Sequence, residues 1–292
     1  MNATHKTQRP SKRSQICDGM KLHLRTVRIR GVSHRLITLR PGTVASFGTN
    51  YYHETWHILS DQRGARLLAR LMWGLSFQQR PNTSVLIHGE HIRPTPFGGE
   101  RSDPILILLD NSAGTDQKSL SALYRRLRSL GPSERTVRWK TFGLDAELSK
   151  RTRDAGGLSR EPYTLDPLWF ESNKALWESE AMFRRGGFVC YQAPPEVMRN
   201  QAIVVARMDP ANYGMDYHFL AETNRWPSGE VQIFSDYRQR CSAAIQARQS
   251  VLSEKNDFAD EQGLYEAIAS KRDRLLRQRR AIRRSRYATA PR

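Results

Sequence analysis

Cysteine is nearly absent from this 292-residue chain: Cys17, Cys190 and Cys241 stand alone, with no C-x-x-C spacing. A disulfide framework or a cysteine zinc knuckle needs thiols at short, paired spacings, so neither is expected, and the pattern fits a reducing compartment. Long apolar runs are missing too. They reach only five residues, as in Ile105 to Leu109, far short of the roughly 20 that cross a bilayer. The opening MNATHKTQRPSKRS lacks the apolar core of a secretory signal, and its basic, hydroxyl-rich composition leaves a transit peptide open. A cytoplasmic protein is expected. Negative charge is scarce: 29 Asp and Glu face 47 Lys and Arg, a net charge of +18. Also missing are a dinucleotide fingerprint, a nucleophile elbow and a phosphate-cradling G-x-x-x-x-G-K-[ST] loop,.

What is present is a globular composition, 38% apolar with 9% aromatic residues, enough to bury a core of ordinary size. The excess charge sits at the ends. Residues 270–292 hold ten Lys or Arg against Asp273, and residues 1–21 hold five against Asp18. Basic arms on a mildly basic body are an arrangement that grips polyanions.

Along the chain, residues 1–20 are polar and aperiodic and are read as a flexible basic arm. KLHLRTVRIRG and SHRLITLRPG are β-rich runs on either side of a glycine turn, which predicts an antiparallel pair from which Arg25, Arg28, Arg30, Arg35 and Arg40 project,. Leu67, Leu68, Leu71, Met72 and Leu75 recur at helical spacing behind a Ser60 or Asp61 cap,. Ser84 to His88 and Ile105 to Leu109 read as buried strands, Leu120 to Leu130 as an amphipathic helix, and Thr136 to Phe142 as a further strand. This grammar predicts a layered α/β (or α+β) domain over 21–150, a mixed sheet with covering helices. Residues 151–165 read as a linker or exposed loop. A second α/β subdomain is expected over 166–257, with a helix from Asp166 to Arg185 on the seven-residue spacing of Trp169, Leu176 and Phe183. Residues 258–292 complete the chain as a basic amphipathic helix and tail.

One string has familiar chemistry. His53-Glu54-Thr55-Trp56-His57 is an H-E-x-x-H match and resembles the zinc helix of the zincin metallopeptidases. The resemblance implies His53 and His57 as zinc ligands and Glu54 as general base, because residues at i and i+4 share one helix face. A third ligand is not in the elongated position, where Arg63 stands; His88, Glu90 and His91 are the candidates. Against it, Tyr51, Tyr52, Thr55, Trp56 and Ile58 are strand-forming residues, and on a strand His53 and His57 are separated by about 13 Å. Ile105 to Asp110 resembles a Walker B strand, and Asp110-Asn111-Ser112 resembles the metal-adhesion string of von Willebrand A-type domains, departing at Gly114. The plainer reading makes Asp110 to Ser112 a turn and Thr115 or Asp116 a helix cap.

Lys271, Arg272, Arg274, Arg277, Arg279, Arg280, Arg283, Arg284 and Arg286 clothe the last helix. Guanidinium forks suit phosphate. The leading expectation is therefore a basic α/β protein that binds nucleic acid, or another polyanion, without sequence specificity, through its arms and without a catalytic site or cofactor. The alternatives are a zinc-dependent metallopeptidase built on HETWH, and a scaffold or assembly subunit docking on an acidic protein.

Overall fold

A computed structural model describes residues 19–154, 173–223, 226–254, 258 and 260–288. The N-terminal arm up to residue 18 and most of the expected linker lie outside the described residues. The first strands follow the alternation of the sequence. β1 (Gly19–Ile29) and β2 (Val32–Thr38) pair antiparallel, His23 opposite Thr38 and Ile29 opposite Val32. β3 (Phe47–Tyr52) and β4 (Thr55–Ser60) form a hairpin. Asp61 then starts α1 (Gln62–Ser76), its carboxylate accepting the Gly64 amide at 2.7 Å, a cap worth about 1 kcal/mol.

The chain continues through β5 (Thr83–Ile87), β6 (Ile105–Leu109), α2 (Gln117–Arg126) and β7 (Arg135–Lys140) to α3 (Phe142–Asp154). Asp110 falls in a turn, and Asp116 caps α2 by accepting the Lys118 and Ser119 amides. After the undescribed interval come α4 (Lys174–Glu178), β8 (Ala181–Arg185), β9 (Phe188–Ala193), α5 (Pro195–Arg207), β10 (Met215–Thr223), β11 (Trp226–Phe234), α6 (Tyr237–Ser253) and α7 (Glu261–Ala288).

Two mixed sheets result. One has the order β7-β1-β2-β5-β6-β9-β8, the other β10-β11-β4-β3. The second half of the chain contributes strands to both sheets: β9 lies parallel to β6, and β11 parallel to β4. The helix expected over 166–185 is corrected. Its described part is the short α4 followed by β8, and Phe183 faces Cys190 across the β8–β9 pair. Gly186 and Gly187, both at positive φ (61° and 91°), make the two-residue turn between those strands, a conformation that glycine adopts without strain.

The main core lies between the sheets. α1 and α5 pack there on one face of the large sheet (Leu22, Ile37, Val85, Ile107, Tyr191) and on the inner face of the small one (Phe47, Ile58, Val231, Ile233). Each such residue, removed from water, contributes about 1.5–3 kcal/mol. Among the described residues the opposite face of the large sheet is covered by α2, whose Leu120 and Leu123 sit on Leu36, Leu86, Leu106 and Phe188. α6 and α7 pair as antiparallel helices around Val251 and Ile268. Among the described residues no helix is long and apolar enough to cross a membrane.

Candidate polyanion-binding face

The H-E-x-x-H string forms a hairpin. His53 and Glu54 occupy the two-residue turn at φ of 47° and 61°, and Tyr52 and Thr55 pair across it. Both central residues at positive φ make the turn that matches strand twist. Consequently His53 does not lie on a strand, and no helix brings His53 and His57 to one face with Glu54 between them. The metallopeptidase geometry is not formed. Among the described residues no cluster of three or more His, Cys, Asp or Glu is placed to hold a metal.

His57 instead sits in a row across the small sheet. Its Nδ1 lies 2.9 Å from Asn50 Oδ1, and its Nε2 lies 3.5 Å from Glu230 Oε2. Asn50 and Glu230 are its register partners on β3 and β11. Burial, followed by the neighbouring His53, pushes the His57 imidazole down to about 4. Burial raises the Glu230 carboxyl, against a hydrogen bond from Gln232. Both shifts favour neutral forms, and a neutral His57 carrying its proton on Nδ1 satisfies the Asn50 contact,. A second buried polar chain holds α5 in place: Tyr191 donates to Glu180 at 2.6 Å, Gln201 donates to the same carboxylate, and Gln201 Oε1 lies 2.6 Å from His218 Nε2. Burial lowers His218 to about 4. Its members bond one another, which is the requirement for placing polar groups in a core.

Among the described side chains of the C-terminal helix, Lys271, Arg272, Arg279 and Arg280 are engaged with the protein itself. Arg272 donates to the Phe97 carbonyl and pairs with Asp273; Arg279 donates to the Gln239 carbonyl and to Gln246; Arg280 pairs with Asp236 at 3.1 Å; Lys271 pairs with Glu254. Burial by itself would raise Asp236, but Arg240 and Arg280 hold it below the ordinary carboxylate range. Arg274 and Arg277 are exposed on the outer side of α7. Arg283, Arg284 and Arg286 continue its backbone, with side chains outside the described set.

A different group of cations is assembled by the large sheet. On the face that carries α2, that helix leaves the Gly19 end of β1 and the adjoining β7 open. Lys21 stands opposite Arg138 and His23 opposite Thr136, and Lys21, Thr136 and Arg138 are exposed. Arg25 follows on the same face of β1, held by the Gly131 carbonyl and the Thr38 hydroxyl. Where β5 ends and α2 finishes, a cleft of about 620 Å³ is lined by His88, Arg101, Tyr124, Arg125 and Arg128. Arg101 reaches the Tyr124 hydroxyl at 3.4 Å.

The field of this face registers on its two imidazoles. Burial lowers His23, and Arg25 and Arg40 lower it further; burial lowers His88, and Arg25 and His91 add to the effect. Arg25 acts on both, so the strip along β1 and the cleft belong to one positive region. His23 Nδ1 is buried and has no hydrogen-bond partner. Such an arrangement can bind several anionic oxygens at once by charge and by planar donors. In the sequence, Arg25 and Arg40 stand out as projecting residues, but Lys21, Arg101, Arg125, Arg128 and Arg138 do not stand out as a set. Their signal is divided among four segments that the fold brings together. Comparison with family models, with curated proteins and with solved structures finds no match to this chain.

Proposed function

We propose that this protein binds nucleic acid through its phosphates, independently of sequence, with the cationic face of the large sheet as the principal seat and the exposed arginines of α7 as an auxiliary one. The observation that carries the reading is the 620 Å³ cleft ringed by Arg101, Arg125 and Arg128, whose His88 feels the charge of Arg25, a residue on the same face of β1 as Lys21, which stands opposite Arg138. Its described hydrogen bonds are to neutral acceptors, the Gly131 carbonyl and the Thr38 and Tyr124 hydroxyls, so these bonds leave the charge available to phosphate. Binding of this kind releases counterions and weakens steeply with salt.

The test is a salt titration of binding to a labelled oligonucleotide. Arg125→Gln with Arg128→Gln lowers affinity at low salt and reduces the slope of log affinity against log salt by about 2, one for each phosphate that the variant no longer neutralises. An unchanged slope would sink the reading for this face. Charge removal is a cleaner experiment than truncating residues 270–292, because that deletion also removes the Arg272, Arg279 and Arg280 contacts that dock α7.

A further inference from the structure

A second cleft, of about 500 Å³, adjoins the cationic one and is walled by the tip of the β3–β4 hairpin and the first turns of α7. Tyr51, Tyr52, Trp56 and Tyr265 line it, together with the side-chain amides of Asn50 and Gln262. Three of these rings are wet: Tyr51 is 54% exposed, Tyr52 57% and Tyr265 40%. Scattered surface aromatics are ordinary, but exposed rings that converge on one concavity mark a binding surface. The wall is braced. Tyr51 packs on Trp56 with ring centroids 4.8 Å apart, and Tyr52 lies against the His53 ring at 3.9 Å.

Arg101 lines both clefts, and Asp103 of the aromatic one immediately precedes Pro104 of the cationic one. A surface suited to phosphate thus leads into one suited to flat rings. The chemistry of the rim favours a neutral guest over a cation. Glu100 is paired with Arg248 at 3.3 Å and Asp103 with Arg184 at 2.6 Å, which leaves Glu261 as the third lining carboxylate.

We infer that this cleft receives an unstacked base of a single-stranded nucleic acid whose phosphates lie along the cationic face. The inference rests on the nucleic-acid reading above and adds the form of the ligand. Every base has a π face, so stacking on tyrosine and tryptophan is tolerant of sequence. Asn50 Oδ1 faces His57 and Gln262 Nε2 donates to Glu266, which leaves the Asn50 NH2 as a donor and the Gln262 oxygen as an acceptor for a base edge,. Bases inside a duplex are stacked on one another and cannot enter, so the cleft makes the protein favour single strands.

The experiment uses the full chain and three probes of equal length: a mixed-sequence single strand, an abasic single strand, and a duplex, followed by fluorescence anisotropy at low salt. The unaltered protein is expected to bind the base-bearing strand most tightly. Tyr52→Ala and Tyr265→Ala each weaken that binding about tenfold, the scale of one missing stacking partner. Both leave the abasic and duplex affinities unchanged, and Tyr52→Phe retains full binding. Tyr52 and Tyr265 are exposed, and an unchanged thermal melt confirms the fold of each variant. Equal affinity for base-bearing and abasic strands, or equal losses on both, would overturn the inference while leaving phosphate binding intact. Failure to bind any of the three probes removes the parent reading instead. Capture of tetramethylammonium that the same alanine variants abolish, with strand binding unaffected, would reassign the cleft to a cation.

Discussion

The arginines of α7 and those of the large sheet differ in what their guanidiniums touch. On α7, Arg272 and Arg280 meet Asp273 and Asp236, and Lys271 meets Glu254. On the sheet face, Arg25 and Arg101 meet a carbonyl and two hydroxyls. Carboxylate partners neutralise a cation and fix it, whereas neutral acceptors fix it and leave its field intact. Three cations of the densest basic run in the sequence thus meet acids of the protein itself, and the bonded cations of the sparser sheet face keep their field. Charge density along a sequence and charge availability on a surface are separate properties.

That comparison can be broken by exchanging effects between the two regions. The largest expected effect is on the sheet side: Arg125→Glu with Arg128→Glu lowers oligonucleotide affinity at low salt by at least about tenfold, with a thermal melt unchanged, because both side chains are exposed. A large loss of Tm with unaltered affinity would reverse the assignment. On the α7 side, Arg272→Ala should behave in the opposite way. It removes the Phe97 and Asp273 contacts of a half-buried side chain and is expected to cost about 1 kcal/mol of stability, read by denaturant unfolding, with affinity changed less than about threefold.

The smallest effect is in pH dependence. His23 and His88 are held below the ordinary imidazole value, by burial first and by neighbouring cations second. They are neutral at pH 7, and an anion laid on the face offsets the cations and raises both. The complex therefore takes up protons, and affinity should rise modestly as pH falls from 7 toward 6. His23→Gln with His88→Gln should flatten that profile. For the unliganded protein the sign is opposite: the lowered folded-state values stabilise it above the unfolded value of 6.5, and that contribution is lost as pH falls through the folded values,. Binding through α7 alone would be flat over this range, since only Arg and Lys contribute.

Much of the architecture is legible in the sequence because its signals are local. The β1–β2 pair, the Ile105 to Leu109 strand and the Asp61 and Asp116 caps follow from alternation, apolar runs and side-chain chemistry within a few residues. The failures share a cause in longer-range context. Trp169, Leu176 and Phe183 give a seven-residue spacing, but three points do not separate a helix from a short helix followed by a strand. α5 lies between other elements and buries Ile203, Val204 and Val205 in succession, which erases the amphipathic pattern that would mark it as a helix. The hairpin turn at His53-Glu54 carries neither glycine nor asparagine, so no turn signal advertises it. At the sites, the aromatic residues of that hairpin are visible as strand formers only. Their companion Tyr265 is more than 200 residues away in sequence, and the acids that neutralise α7 are likewise spread over Asp236, Glu254 and Asp273.

The parallel pairing of β4 with β11 has a consequence for how the chain acquires its structure. Thr55 donates its hydroxyl to the Pro227 carbonyl across 172 residues, so the small sheet cannot close until nearly four-fifths of the chain exists. Contacts of such separation are slow to form, because the loop entropy is lost before the contact rewards it. During synthesis the β3–β4 hairpin waits with its inner edge open, and the large sheet waits for β9 beside β6. An N-terminal fragment ending near residue 150 would thus expose two unpaired strand edges and aggregate, not fold.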